Sequence, residues 1–120
     1  MEKVNIAEKF AGFSETWRPK TIGTVDDYDV KLVRIEGDFV WHSHPDEDEM
    51  FLCLEGRFTM EFRDRSVEVG PGEMIVVPRG VEHRPRADAQ ARIMLFERRG
   101  VVNTGDAPAG DLTAGVGERI

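Results

Sequence analysis

Residues 37–56 read GDFVWHSHPDEDEMFLCLEG, a stretch bounded by glycines in which two histidines precede an acidic run and then an apolar one. His42 and His44 stand two apart. In extended chain, side chains two apart leave the backbone on the same side, so both imidazoles aim at one point. Glu49 closes the acidic run and opens the apolar one. The third histidine, His83, ends a second stretch, GEMIVVPRGVEH at residues 72–83, and the chain has 3 histidines in its 120 residues. Neutral imidazole is the commonest metal ligand, and three of them with one carboxylate suit Fe, Mn, Ni, Cu or Zn. A metal site is legible here; what the metal does is not.

The same alternation assigns faces. Val40, His42 and His44 share one face, with Phe39, Trp41 and Ser43 opposite. On the following strand Glu49, Phe51 and Cys53 share a face, and Met50, Leu52 and Leu54 take the other. Both faces are apolar, so both need cover, one by a second sheet and the other by a second copy of the chain. A homodimer is the expectation.

Outward from this region the chain is a series of short runs broken by Gly, Pro and Asp. Strands are expected at 21–25, 28–36, 39–43, 50–54, 57–62, 66–69, 74–77, 83–86 and 92–97, a spacing that reads as an all-β sandwich or barrel. Glu55-Gly56 and Arg63-Asp64-Arg65 read as hairpin turns, and Gly70-Pro71-Gly72 as a chain reversal. Before the strands, Asn5 is a candidate N-cap with Glu8 three residues on, and Ile6, Phe10 and Phe13 follow at helical spacing. After Gly100 the text turns to Gly105, Gly110, Gly115 and Gly117 among Asp, Thr and Ala. That segment has little to bury and is expected to be a flexible tail or an arm over a partner subunit. The division is a helical or extended segment over 1–20, a barrel over 21–100 and the tail over 101–120.

Composition narrows the function classes. The length allows one domain, able to withdraw about two thirds of its unfolded surface from water without disulfides. Cys53 is the single cysteine; its apolar neighbours mark it as a buried thiol, and a reducing compartment, the cytoplasm, is expected. A net charge of −7 argues against a nucleic-acid partner, which calls for a basic face. Arg79, Arg84 and Arg86 cluster but read as solvated surface. No apolar run approaches the ~18 residues of a membrane span, and the N-terminus lacks the plan of a signal peptide.

The two histidine stretches resemble the two motifs of the cupin family. The first has Gly37, then His42-Ser43-His44, Glu49 after four intervening residues, and Gly56 after six more. The second has Gly72, five residues, Pro78-Arg79-Gly80, two residues, and His83. The motifs cover residues 37–83, and the flanking strands extend the likeness to roughly 21–97. Two departures stand out: one residue fewer than usual lies between Gly37 and His42, and Ala87 occupies the place of a customary asparagine that is not a ligand. The resemblance implies a single-domain jelly-roll β-barrel with one divalent transition metal (Fe, Ni, Mn or Zn) in its mouth. Its ligands would be His42, His44, Glu49 and His83, with open positions for water or substrate. Glu47 is the alternative carboxylate.

Around that site Phe51 and Cys53 share the Glu49 face, and Phe62, Met94 and Phe96 are further candidate pocket walls. Trp41 and Phe39 point away by parity. Arg84 and Glu97 are candidates to orient an anionic substrate. A mostly apolar lining favours an aromatic or weakly polar small molecule over a sugar. The functional expectation is a metal-dependent enzyme of dioxygenase or isomerase type. The alternative is a module that binds or senses a small ligand without turnover. No residue outside the ligand set is an obvious catalytic base.

Overall fold

The computed structural model describes residues 1–120. One short helix and eight strands follow in order: α1 (Ile6–Ala11), β1 (Lys20–Val25), β2 (Tyr28–Asp38), β3 (Glu49–Glu55), β4 (Phe58–Phe62), β5 (Ser66–Val69), β6 (Met74–Val77), β7 (His83–Arg98) and β8 (Glu118–Arg119). The architecture is the all-β jelly-roll barrel. Asn5 caps α1, its side chain accepting from the Glu8 amide at 3.0 Å.

The long strand β7 organises the rest. It pairs antiparallel with β2 from Arg86 to Arg98, while its other edge pairs with β4 through His83–Arg86 and with β3 through Arg92–Glu97. The chain order in the sheet is therefore β5-β4-β7-β2-β1-β8, with β3 joined to β6 and β7. Two expected strands, at 83–86 and 92–97, are thus the ends of one sixteen-residue strand. Residues 87–91 look like a break in sequence, and β2 alone carries the strand across them, pairing with Ala87 and Ala91 around an irregularity where neither β4 nor β3 reaches.

Inward-facing side chains alternate as a two-residue period requires. Val33 and Ile35 of β2, Phe51 and Cys53 of β3, Phe58 and Met60 of β4, and Ile93 and Leu95 of β7 form one buried cluster. Trp17 joins it from the N-terminal segment, stacked on Phe39 at 4.6 Å, with its indole nitrogen donating to Glu36 O at 2.8 Å. Gly56 turns the β3–β4 hairpin at φ +78°, and a Cβ there would meet the Ala91 backbone at 3.1 Å. No larger residue fits that turn without displacement.

Two segments depart from expectation. Residues 39–43 form no strand; only His42 makes a bridge, to His83. The residues after Gly100 lie back over the chain's own barrel. Asn103 donates to Trp17 O and Leu112 O, Ala114 N donates to Asn103, and β8 runs parallel to β1. Polar side chains anchor this segment together with two isolated apolar residues, the buried Val101 and Leu112 against the core, too far apart to make an apolar pattern.

Candidate metal centre

The three histidines and Glu49 converge. One ligand atom from each of His42, His44, Glu49 and His83 lies within 4.8 Å of the others, and all four residues are buried. The backbone explains the convergence. His42 and His83 exchange hydrogen bonds across their bridge, N to O at 3.1 and 2.9 Å. His44 O accepts from Gly80 N at 2.9 Å, which ties the first histidine pair to the turn preceding the third. Glu49 begins β3 with its side chain inward, in register with Glu97 of β7.

Ring orientation is fixed as well. Nδ1 of His42 contacts Val40 O at 2.9 Å, and Nδ1 of His83 contacts Val81 O at 2.9 Å. A carbonyl only accepts, so each Nδ1 carries the proton and each Nε2 offers a lone pair. This is the arrangement that prepares a histidine for a metal. Nε2 of His44 and His83 and Oε1 of Glu49 are buried with no hydrogen-bond partner. They stand 3.3 Å (His44 to Glu49) and 3.6 Å (His83 to Glu49) apart. Ligands bonded at about 2.1 Å to one ion at tetrahedral or octahedral angles sit about 3.0–3.4 Å apart. Orphaned buried acceptors are costly unless something satisfies them together, and a cation does so. The residues fit a metal.

The electrostatics differ among the four. Burial and the neighbouring His83 hold His42 down to about 4, with Val40 O opposing. Burial acts the same way on His44, but the adjacent Glu49 carboxylate outweighs it and raises this histidine above its ordinary value. Burial would raise Glu49; the Glu97 carboxyl and the His44 and His83 imidazoles beside it overcome this and hold the carboxylate well below the usual range. Glu97 goes the other way, pushed well up by burial and by the Glu49 charge, with Lys31 pulling back. The Lys31 ammonium lies 2.9 Å from Glu97 Oε1, and both side chains are 1% exposed. Glu97 is therefore held by Lys31 inside the barrel, across the strand pair from Glu49, and does not reach a substrate at the rim.

The remaining candidates separate. Of the acidic run only Glu49 turns inward; Asp46 and Asp48 are exposed and Glu47 is half-buried outside the cluster. Asp48 instead accepts from Arg79 N at 2.9 Å. Phe51 lines a cavity beside His42 and Glu49, together with Trp17, Val33, Ile35, Phe39 and Leu95. Phe39 thus faces the site, because the chain around it is not a regular strand and parity does not apply. Cys53 is packed in the core, away from the cavity lining. Met94 and Phe96 are not cavity walls: Ile93 and Leu95 take the inward positions of β7, which leaves their neighbours outside, Phe96 stacked on Tyr28 at 5.2 Å. Phe62 lies half-buried at the edge of the core. Arg84 pairs with Glu61 at 3.0 Å and lies over the Trp41 ring at 5.2 Å. Lys31 and Asn103 were not singled out in sequence. For Lys31 a signal existed, since it shares the inward parity of Val33 and Ile35; for Asn103 there was none.

A family model described as Cupin domain matches residues 31–97. The uncharacterized protein YdbB of Bacillus subtilis (strain 168) is 36% identical over 83 residues, 68% of this chain and 67% of that protein. A crystal structure of a cupin-2 domain containing protein from Shewanella frigidimarina NCIMB 400 is 45% identical, with a TM-score of 0.79, covering 80% of this chain and 94% of that one. Protein NMB1881 of Neisseria meningitidis is 34% identical at a TM-score of 0.75, covering 81% and 99%.

Proposed function

This chain belongs to the cupin domain family, and we propose that it is a metal-dependent enzyme acting on a small organic molecule held beside the ion. The observation that carries this reading is the group of buried, unpartnered donors on His44, Glu49 and His83, with His42 and Glu49 facing an apolar cavity. His42, His44, His83 and Glu49 would hold one divalent transition metal, Fe, Ni, Mn or Zn. Bound there, such an ion supplies Lewis-acid polarisation of a substrate oxygen and, if redox-active, reaction with O₂.

The chain's own contribution is orientation and dryness. The Val40 and Val81 carbonyls keep two Nε2 lone pairs turned into the site. Val33, Ile35, Phe39, Phe51 and Leu95 keep water from the cavity side, where charges act across a low dielectric. Only His42, Glu49 and Asn103 bring polar groups to that lining. A sugar-type isomerisation asks for partners for several hydroxyls, which this wall lacks. The lining therefore favours an oxidative, dioxygenase-type reaction on an aromatic or enolic substrate.

A second reading has one observation behind it. The cavity has about 30 Å³ for the centres of water-sized molecules, room for about two waters. A module that only binds a metal-chelating ligand at the mouth needs no more. The test loads the protein with Fe(II), Ni(II), Mn(II) or Zn(II) and offers phenolic, enolic and sugar-acid compounds, following O₂ by electrode and products by NMR. Oxygen uptake with product supports the oxidative reading, and an isomer without oxygen uptake replaces it. A higher unfolding temperature with no product identifies the binding module.

We place the protein in the cytoplasm, where the lone buried Cys53 stays reduced; no helix is long and apolar enough to cross a membrane. We also propose that it is a homodimer through the outer face of β3, β6 and β7. Met74 and Val76 are 54% and 48% exposed there, in register with Leu52 and Met50. Light scattering should give twice the chain mass, and Val76→Lys should return it to one chain; a wild-type monomer would end this proposal.

A further inference from the structure

We propose that the C-terminal residues 103–106 are a positioning element of the metal centre, and that metal binding and docking of this segment reinforce each other. The proposal rests on the metal reading above. Its starting point is Ser43, which stands between two of the ligands where the chain belongs to no strand. His42 is held by its bridge to His83 and His44 by Gly80, but Ser43 has no sheet partner.

Asp106 takes every polar group Ser43 has. The Ser43 amide donates to Asp106 Oδ1 at 2.7 Å, and its hydroxyl donates to Oδ2 at 2.9 Å. In return, Asp106 N donates to Ser43 O at 3.0 Å. One residue earlier, Gly105 lies against the imidazoles themselves. A Cβ at Gly105 would be 2.3 Å from Ser43 O and 3.1 Å from both His42 Cδ2 and His44 Nδ1, at a backbone φ of +52°. Only a residue without a side chain brings the backbone this close. The two ligand rings therefore have the tail as one wall.

The segment is itself anchored. Asn103 lines the cavity and hydrogen-bonds Trp17 O, Leu112 O and the Ala114 amide. Thr104 is 3% exposed, its hydroxyl 3.0 Å from that of Thr113. Residues 103–106 thus do for Ser43 what a neighbouring strand does elsewhere, and restrain the backbone that aims His42 and His44. Coupling between two sites is reciprocal. If the docked tail improves metal affinity, bound metal stabilises the docked tail by the same factor.

The test uses the full-length protein stripped of metal and titrated with Zn(II) against a chromophoric chelator, wild type first. Asp106→Ala should weaken Zn(II) binding about 10–100-fold, the range usual for groups that orient ligands. Asp106→Asn, which keeps one oxygen acceptor for Ser43, should recover part of the loss. Asp111→Ala removes the same charge from an exposed point of the same segment and should bind as wild type does. Hydrogen exchange on the wild type supplies a readout that needs no variant to fold. Zn(II) should slow the amides of 101–107 and leave those of β5 unchanged. Asp106→Ala binding within twofold of wild type, or exchange at 101–107 indifferent to Zn(II), overturns the proposal. A wild type that binds no Zn(II), Fe(II), Ni(II) or Mn(II) overturns the metal reading, and this proposal falls with it.

Discussion

His42 and His44 are two residues apart, yet their titrations should pull the stability of the metal-free protein in opposite directions. Burial and His83 hold His42 down to about 4 from an ordinary 6.5. As pH falls below the ordinary value, the unfolded chain binds a proton at this position and the folded chain does not, so stability is lost between about pH 6.5 and 4. The displacement corresponds to about 3 kcal/mol in full, with about 2 kcal/mol already gone at pH 5. His44 is raised, burial opposing and Glu49 prevailing. Its contribution is complete below the ordinary value and is lost as pH rises through the folded-state value. Urea unfolding of the metal-stripped protein in chelator, at intervals from pH 4 to 8, reads both. Carboxylate effects common to all variants cancel in the difference from wild type. His42→Gln should lose the steep decline below pH 6.5. His44→Gln should keep that decline and lose the stabilisation that wild type gains as pH falls towards 6.5 from above. A His42→Gln curve parallel to wild type, or a His44→Gln variant with the flattened acid limb, would refute the assignment of these two environments.

Other expectations follow from burial. Met60 is 0% exposed in the core, so Met60→Ala should cost about 2–5 kcal/mol in urea unfolding; a loss under about 1 kcal/mol would mean the site collapses freely. Lys31→Met removes the cation 2.9 Å from Glu97 and should cost about 3–5 kcal/mol. The double variant Lys31→Met/Glu97→Gln should recover much of this, and failure to recover would show that Lys31 acts through packing alone. Cys53 is 0% exposed and burial raises its thiol, so a thiol reagent such as Ellman's should find it only after unfolding.

The barrel was legible because its evidence is local: two-residue alternation, turns at Gly56 and Gly70-Pro71-Gly72, and two motifs whose spacing survives translation into geometry. The ligand residues came from the same spacing, and the structure brings all four together. Three things were hidden for physical reasons. Parity misassigned Phe39 because the chain leaves the strand before His42, where hydrogen bonds to His83 and Asp106 replace a ladder. It was applied at neither Met94 nor Phe96, although Ile93 and Leu95 already hold the inward positions of β7. The segment after Gly100 carries no hydrophobic period beyond the isolated Val101 and Leu112, and its side-chain contacts to the barrel reach Ser43 and Trp17, 63 and 86 positions away. Such contacts leave no pattern in a single sequence.

His42, His44, Glu49 and His83 are proposed to hold one metal ion. Elemental analysis by plasma mass spectrometry of untagged protein, as purified and after reconstitution, tests it most directly. The protein should carry about one Fe, Ni, Mn or Zn per chain, lost in His42→Ala/His44→Ala and in Glu49→Ala and retained in Glu47→Ala. No metal in the wild type even after reconstitution, or equal loss from Glu47→Ala, would contradict it.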